Sequence, residues 1–446
     1  MKPISRRAFL STATAAAGGL ALSCDHSSLV APPLGQRRPG TLASLSPESS
    51  GIDHVVVVMM ENRSFDHFLG WLPGADGHQG GLTYFDATGT GHATHRLAPD
   101  FQGCGHAMPD HSYEGGRVEY DGGACDGWLR ANDDFSIGYY EAADLAFFGQ
   151  AAPQWTTFDR YFCAIMAETF PNRVYQHAGQ TDRLHNTDLV VSTLPTIWDR
   201  LGARGLRGRY YFGDVPFLGL WGARYVPISR PLDAFFTACA AGTLPDVAFV
   251  DNAFVTELTG TGSDDHPYND IRAGEAFLNR VYAAVTSSPQ WANTALVINF
   301  DEWGGFFDHV PPPVAPISAG DIAVGNVDGL RGFRTPTLVI SPFARRAHIS
   351  HVVYDHTSVL RMIEWRWNLA PLTIRDATAN NLADELDFGN PQLAAPAYAV
   401  PPVVPVACPM TVSLPTLLSA TWRGSTHVRS HWSALGELAR RHGWSV

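Results

Sequence analysis

With 446 residues, 45% of them hydrophobic and only 17% charged, the chain can bury a substantial core and is not a disordered protein. A formal net charge of -12 argues against a nucleic-acid binder, because neutralising phosphates takes a basic patch. The 42 glycines and 31 prolines predict long, stiffened loops rather than a helical bundle, and length alone fits either one large α/β core or two average domains.

The chain opens on an address. Ser5-Arg6-Arg7-Ala8-Phe9-Leu10 and a small-residue apolar run to Cys24 match a twin-arginine export signal, and the run from Leu10 to Ser23 is too short and too rich in Ala and Gly for a lasting membrane span. Ala21-Leu22-Ser23-Cys24 also resembles a lipoprotein cleavage box, with Ala21 where leucine is usual. Three segments are expected: an export signal at 1–24, with lipoprotein processing as an alternative; a Pro/Ser/Gly-rich linker at 25–50; and a single folded domain at 51–446 with a Pro-rich C-terminal extension from about 370. The expected destination is periplasmic, secreted or lipid-anchored at the cell envelope.

Residues 53–70 come next. The run His54-Val55-Val56-Val57-Val58-Met59-Met60 reads as a buried strand that delivers Glu61-Asn62-Arg63-Ser64 at its C-terminal end. Open α/β sheets bind ligands outside the carboxyl ends of their strands, and a carboxylate beside a carboxamide offers hard oxygen ligands for a divalent cation. Ser64 suits the cap of a helix beginning near Phe65. From Leu72 to about Gly138 neither helical nor strand periodicity persists, as in an insert that covers an active site, and Pro109-Asp110-His111-Ser112 is its densest polar cluster.

Leu145 to Met166 is apolar and aromatic, read as a helix and a buried connection ending at Glu168-Thr169-Phe170-Pro171-Asn172-Arg173. Thr169 lies just before a helix expected to begin at Pro171, where backbone N–H groups favour an anion such as phosphate. Arg209–Phe212, Val247–Val250, Ala295–Phe300 and Thr337–Ile340 are strand-like runs separated by helical stretches, which implies a mostly parallel sheet with helices on both faces. Asp301-Glu302 follows its strand as Glu61-Asn62 follows the first, and Gly304-Gly305 lets the backbone pass close by. Adjacent acids repel unless a cation or proton offsets them, so a metal is the economical explanation. Asp264-Asp265-His266 and Asp355-His356 add histidines beside carboxylates. A late helix is expected over Val352 to Leu369 and a terminal one over Ser419–Trp444.

Beyond Cys24 the cysteines are Cys104, Cys125, Cys163, Cys239 and Cys408, without C-x-x-C spacing. This disfavours a zinc ribbon or redox dithiol. Cys104 and Cys125 are candidates to bridge the loop between them, and the odd count leaves at least one thiol free.

Glu61-Asn62-Arg63-Ser64-Phe65-Asp66-His67, Thr169-x-Pro171-Asn172-Arg173, Asp264-Asp265-His266-Pro267, Asp301-Glu302-x-Gly304-Gly305-Phe306 and Asp355-His356-Thr357-Ser358 together resemble the bacterial and plant phosphoesterase family of non-specific phospholipases C and acid phosphatases. The resemblance runs in order from about Gly51 to Leu369. It implies an alkaline-phosphatase-like α/β/α sandwich and a phosphoric ester hydrolase. It also implies roles for particular residues. Thr169 matches the hydroxyl nucleophile; Glu61, Asn62, Asp301 and Glu302, with Thr169, match ligands of one divalent ion, whether calcium, magnesium, manganese or zinc. His111, His266 and His356 would bind phosphoryl oxygens or protonate the leaving alkoxide. Arg173 is either a phosphate contact or structural, and Asp264 and Asp265 would orient His266. Partners would be a phospholipid or phosphate-ester substrate, with transient membrane-surface contact and no nucleic acid.

Trp303 stands where many phospholipases C carry histidine, and would shape an apolar substrate site. The aromatic stretches Trp155–Phe162 and Phe212–Trp221 are candidates for an apolar entrance, though aromatic core explains most of them. By the same resemblance, head-group or membrane selectivity from the additional C-terminal domains of the long secreted phospholipases is not expected here. The leading reading is an exported phospholipase C; the alternatives are an acid phosphatase on soluble phosphomonoesters and an inactive envelope-bound binding protein.

Overall fold

Strand His54–Met60 (β1) has all seven residues buried, so its apolar run is continuous rather than alternating, as befits a strand covered on both faces. The computed structural model of the protein describes residues 45–408 and 431–446, all within one compact unit, Pro39–Val446. The export signal, the linker as far as 44, and residues 419–430 of the expected terminal helix lie outside the described residues. No helix among the described residues is long and apolar enough to cross a membrane.

The fold is mixed α/β, built on a mostly parallel sheet of eight strands. In chain order these are β1, Thr156–Phe158 (β2), Gly208–Phe212 (β3), Ser229–Pro231 (β4), Val247–Val250 (β5), Thr294–Phe300 (β6), Leu338–Ile340 (β7) and His348–Ser350 (β8). Across the sheet they run β8-β2-β7-β6-β1-β5-β3-β4. β1 lies between β5 and β6, parallel to both, with Val58 opposite Val250 and Ile298. Only β7 runs against its neighbours. Because Met59 and Met60 pair with Asn299 and Phe300, the two polar sequences that follow, Glu61-Asn62 and Asp301-Glu302, leave the sheet side by side, and the Asp301 N–H donates to the Met60 carbonyl at 3.1 Å.

Several expectations change in detail. Leu145 to Met166 is buried, yet its helix is short, Phe148–Ala151, and gives way to β2 and a two-residue strand, Tyr161–Phe162, that pairs with Tyr354–Asp355. The insert from Leu72 to Gly138 is not wholly irregular: Ser112 accepts from the Gly115 N–H at 2.9 Å and starts a helix at Tyr113–Tyr120. The late helix runs His356–Trp367, and the described part of the terminal helix runs His431–Arg441.

The expected Cys104–Cys125 bridge does not form. Cys104 pairs with Cys408, 304 residues away, because the Pro-rich stretch after Phe388 straps back over the domain. The strap's Leu393 and Pro396 carbonyls accept from Trp291 and Tyr282, and Tyr398 packs on Tyr282. Cys125, Cys163 and Cys239 are free and buried. The aromatics of Trp155–Phe162 and Phe212–Trp221 are core, not entrance. Trp303 is likewise fully buried, donating to Glu119 at 2.7 Å and packing on Phe333, so it does not face a substrate.

Candidate active site

The Glu61–His67 sequence builds the floor of the site, and each side chain has a separate task. Ser64 accepts from the His67 N–H and donates to the Phe307 carbonyl at 2.6 Å, capping the short helix Phe65–Leu69. Arg63, fully buried against Phe306, donates to the Asp265 carbonyl at 2.6 Å and so clamps the loop that carries His266. Asp66 joins Asp308 and His309 around Arg334. Glu61 and Asn62 are left over. Both are fully buried; neither side-chain polar atom of Asn62 has a hydrogen-bond partner, and the Glu61 carboxylate makes no hydrogen bond, meeting only the Arg173 guanidinium, 3.2 Å from one oxygen.

Asn62 also has a φ of +136°, a backbone state that side chains other than glycine rarely adopt. A buried amide with neither half satisfied costs stability, so its retention in a strained conformation fits an oxygen donor waiting for a cation. Gly304 and Gly305 explain the approach from the other strand. A Cβ on Gly304 would sit 2.2 Å from the Asn62 carbonyl oxygen, and one on Gly305 would sit 2.6 Å from Pro109, beside His111. The glycines thus bring Glu302, Asn62 and the His111 loop together. Glu302 accepts from the Gly304 N–H at 2.6 Å through one oxygen and keeps the other unpartnered.

Thr169 opens the helix Thr169–Ala178, two residues earlier than Pro171 suggested. Asn172 fixes the approach by donating to the Ala167 carbonyl at 2.7 Å and accepting from the Ile165 N–H at 3.0 Å. One turn after Thr169, on the same helix face, Arg173 lies buried between the strands. Its guanidinium reaches Asp251 at 2.9 Å, Asp301 at 3.2 Å and Glu61 at 3.2 Å. It also donates to the Met59 carbonyl at 3.2 Å, so it braces the carboxylates.

Three histidines were candidates from sequence. His356 donates from Nε2 to the Asp301 carbonyl at 2.6 Å and accepts from the Tyr161 hydroxyl at 3.2 Å, so both ring nitrogens are engaged. Burial pushes its pKa down to about 4. His111 donates from Nδ1 to the Pro109 carbonyl at 2.9 Å, which turns Nε2 toward Glu302, 4.0 Å away. His266 stacks edge-on to His111 with centroids 6.3 Å apart and has an unpartnered Nδ1.

Asp264 accepts from the backbone N–H of His266 at 3.0 Å, and its own carbonyl accepts from Glu61. Asp265, at a φ of +76°, packs against Gly274, and neither of its carboxylate oxygens has a hydrogen-bond partner. Burial and neighbouring carboxylates raise the pKa values of Glu61, Glu257 and Glu302 well above the usual range, and burial raises Asp301 to about 6 despite Arg173.

Two residues here escaped sequence reading. Glu257, in a one-turn helix Glu257–Thr259, brings a carboxylate oxygen within 4.8 Å of ligand atoms of Glu61 and His266. His431, on the terminal helix, lies 3.3 Å from Asn186, whose oxygen accepts from the N–H of Phe170. Its pKa is pushed down to about 4 by burial and by His111. The next residue, Trp432, stacks on Phe254 at 4.1 Å. Glu257 sits in no patterned segment, and His431, although inside the expected terminal helix, belongs to no polar motif; only the topology collects them.

The fold and site thus define a class, and comparison with known proteins identifies it: the chain belongs to the Phosphoesterase family, whose sequence model matches residues 52–225 and 221–370. It is accordingly a phosphoric ester hydrolase by family. It is 30% identical to a non-hemolytic phospholipase C of Pseudomonas aeruginosa over 87% of this chain and 64% of that protein, so it spans just under two thirds of that relative. It is also 30% identical to non-specific phospholipase C1 of Arabidopsis thaliana over 74% of this chain and 69% of that one. Among solved structures, a Vibrio parahaemolyticus protein of the alkaline phosphatase superfamily matches loosely, with a TM-score of 0.36 and 9% identity over 75% of this chain and 72% of that one.

Proposed function

We propose that the protein is an exported, metal-dependent phospholipase C that releases a phosphorylated head group and diacylglycerol. The observation that carries this reading is the set of buried side-chain atoms without hydrogen bonds on Asn62, Glu302 and Glu61, the last paired only with Arg173, at two adjacent strand ends of a phosphoesterase-family chain. Glu61, Asn62, Asp301, Glu302 and Thr169 would hold a divalent ion, which when bound would polarise a phosphoryl oxygen and lower the pKa of the hydroxyl. The Thr169 hydroxyl attacks phosphorus, giving its proton to His111 or His266, and the bond to the glycerol oxygen breaks. The departing alkoxide takes its proton from His111 or His266. Water then releases the head group from Thr169. Arg173 holds Asp301 and Glu61 in place, and His356 holds the Asp301 backbone.

A lipid substrate is favoured by the rim of the site. Ile322, in the short helix Ala319–Ala323, and Val327, just beyond it, are 53% and 69% exposed on a segment that Tyr113 and Arg117, on the helix after His111, hold through contacts to Gly325 and Asp328. Exposed aliphatics at a site mouth suit transient contact with a bilayer surface. The burial of the aromatic stretches weighs the other way and keeps a soluble phosphomonoesterase as the second reading. Side-by-side rates on phosphatidylcholine vesicles and p-nitrophenyl phosphate, with and without chelator, decide. Phospholipid should be preferred and chelation should abolish both rates; a preference for the monoester would favour the second reading.

A further inference from the structure

Among the described residues two carboxylate–histidine groups are largely buried, and they differ in how their polar atoms are satisfied. In the group formed by Asp66, Asp308 and His309, Arg334 lies 3.0 Å from Asp66 and 2.9 Å from Asp308, and His309 donates to Asp66 from its backbone and ring. Backbone N–H groups of His78 and Val310 supply further donors, so each carboxylate oxygen is satisfied and the group is closed. The group formed by Glu61, Glu257 and His266 is open. Their ligand atoms lie within 4.8 Å of one another, yet the second oxygen of Asp264 and Nδ1 of His266 have no hydrogen-bond partner, and the Glu61 carboxylate has none either, with Arg173 paired to only one of its two oxygens. All four side chains are at most 5% exposed.

We propose that Glu61, Glu257 and His266 hold a second divalent cation, separate from the one ascribed above to Asn62, Asp301 and Glu302, with Glu61 shared between the two. This rests on the proposed first site only for the count of two. Charge supports it. Seven buried carboxylates, Glu61, Asp251, Glu257, Asp264, Asp265, Asp301 and Glu302, are accompanied by two guanidiniums, Arg173 on Glu61, Asp251 and Asp301, and Arg63 beside Asp264 and Asp265. One divalent ion and the two guanidiniums balance four of those charges, and a second ion leaves a residue of one.

Two carboxylates and an imidazole form a mixed oxygen and nitrogen donor set. That set suits zinc or manganese better than calcium or magnesium, which prefer oxygen alone. A coordinated His266 is held neutral, which leaves His111 as the group that protonates the leaving alkoxide.

The test is metal stoichiometry on the full chain after equilibrium dialysis against Zn2+, read by elemental analysis, with near-ultraviolet circular dichroism to verify folding. The parent should hold two equivalents. Glu257→Gln should hold one, as should Asp301→Asn through loss of the other site. His266→Asn should lose the cobalt absorption bands that depend on nitrogen ligation when Co2+ replaces zinc. Removing Glu257 relieves repulsion in the metal-free protein, so Glu257→Gln is expected to fold. If the parent and Glu257→Gln bind the same number of ions, the second site is overturned. If instead Asp301→Asn binds as the parent does while Glu257→Gln loses an ion, the second site stands and the first assignment fails.

Discussion

Replacing Asn62 by glycine separates a cation ligand from a structural residue. In the folded protein the amide oxygen and nitrogen of Asn62 are both buried without partners. Removing them should relieve roughly 1–3 kcal/mol of desolvation cost. The φ of +136° at this position is costly for asparagine and natural for glycine, a further gain of about 1 kcal/mol or more. Against this, glycine raises the entropy of the unfolded chain by about 0.5–1 kcal/mol. In the presence of chelator the Asn62→Gly protein should therefore be more stable than the parent, by about 1–3 kcal/mol. Its response to cations should be the opposite: added manganese or zinc should raise the parent's melting temperature more than the variant's, and turnover of p-nitrophenyl phosphate should collapse. The assay is urea unfolding in chelator, followed by thermal melts across a cation titration. A variant that is less stable in chelator, with an unchanged cation response, would refute the ligand argument.

Further outcomes follow from the charges and the rim. Arg173→Met strands Glu61, Asp251 and Asp301 without their shared counter-charge, so urea unfolding should report a loss of about 3–5 kcal/mol, and Arg173→Lys should not restore the three-way contact. Glu275, buried and accepting from the Phe147 and Phe148 N–H groups, has its pKa pushed up to about 8 by that burial. Between the unfolded value near 4.3 and that figure the native state holds a proton that the unfolded chain has lost. Glu275 therefore favours the folded state most at acid pH, and its contribution falls by about 1.4 kcal/mol per unit as pH rises through this window. Urea midpoints at several pH values should show a shallower decline in Glu275→Gln. At the rim, Ile322→Asp with Val327→Asp should lower the rate on phosphatidylcholine vesicles several-fold and leave p-nitrophenyl phosphate turnover unchanged; an equal loss on both would place these residues in folding rather than membrane contact.

The sequence carried much of this arrangement where chemistry is local. An apolar run wholly buried in mid-sheet announces itself, and so does the polar pair at its end, which is how Glu61-Asn62 and Asp301-Glu302 could be matched before their strands were known to be neighbours. Ser64 was legible as a cap for the same reason: its partner, the N–H of His67, is three residues away. Features fixed by long-range topology were not legible. Cys104 had a nearer cysteine to propose, and only the returning strap supplies Cys408. Glu257 sits in an unpatterned loop, and His431 follows the last family motif by some 70 residues. His356 was a candidate through the family resemblance alone; sequence could not show that both its nitrogens are engaged, with the Asp301 carbonyl and the Tyr161 hydroxyl. Trp303 likewise looked like a wall of the substrate site until its indole was placed against Glu119.

The central claim is that Thr169 carries the phosphoryl group during turnover. Acid quenching of the enzyme in the steady state with p-nitrophenyl phosphate, then with phosphatidylcholine, followed by peptide mass spectrometry, tests it directly. The account predicts a phosphoryl adduct on Thr169 with the monoester and a phosphocholine adduct with the lipid, and in Thr169→Ala neither adduct nor turnover above background. Turnover at the parent rate by Thr169→Ala, or an adduct on another residue, would contradict it.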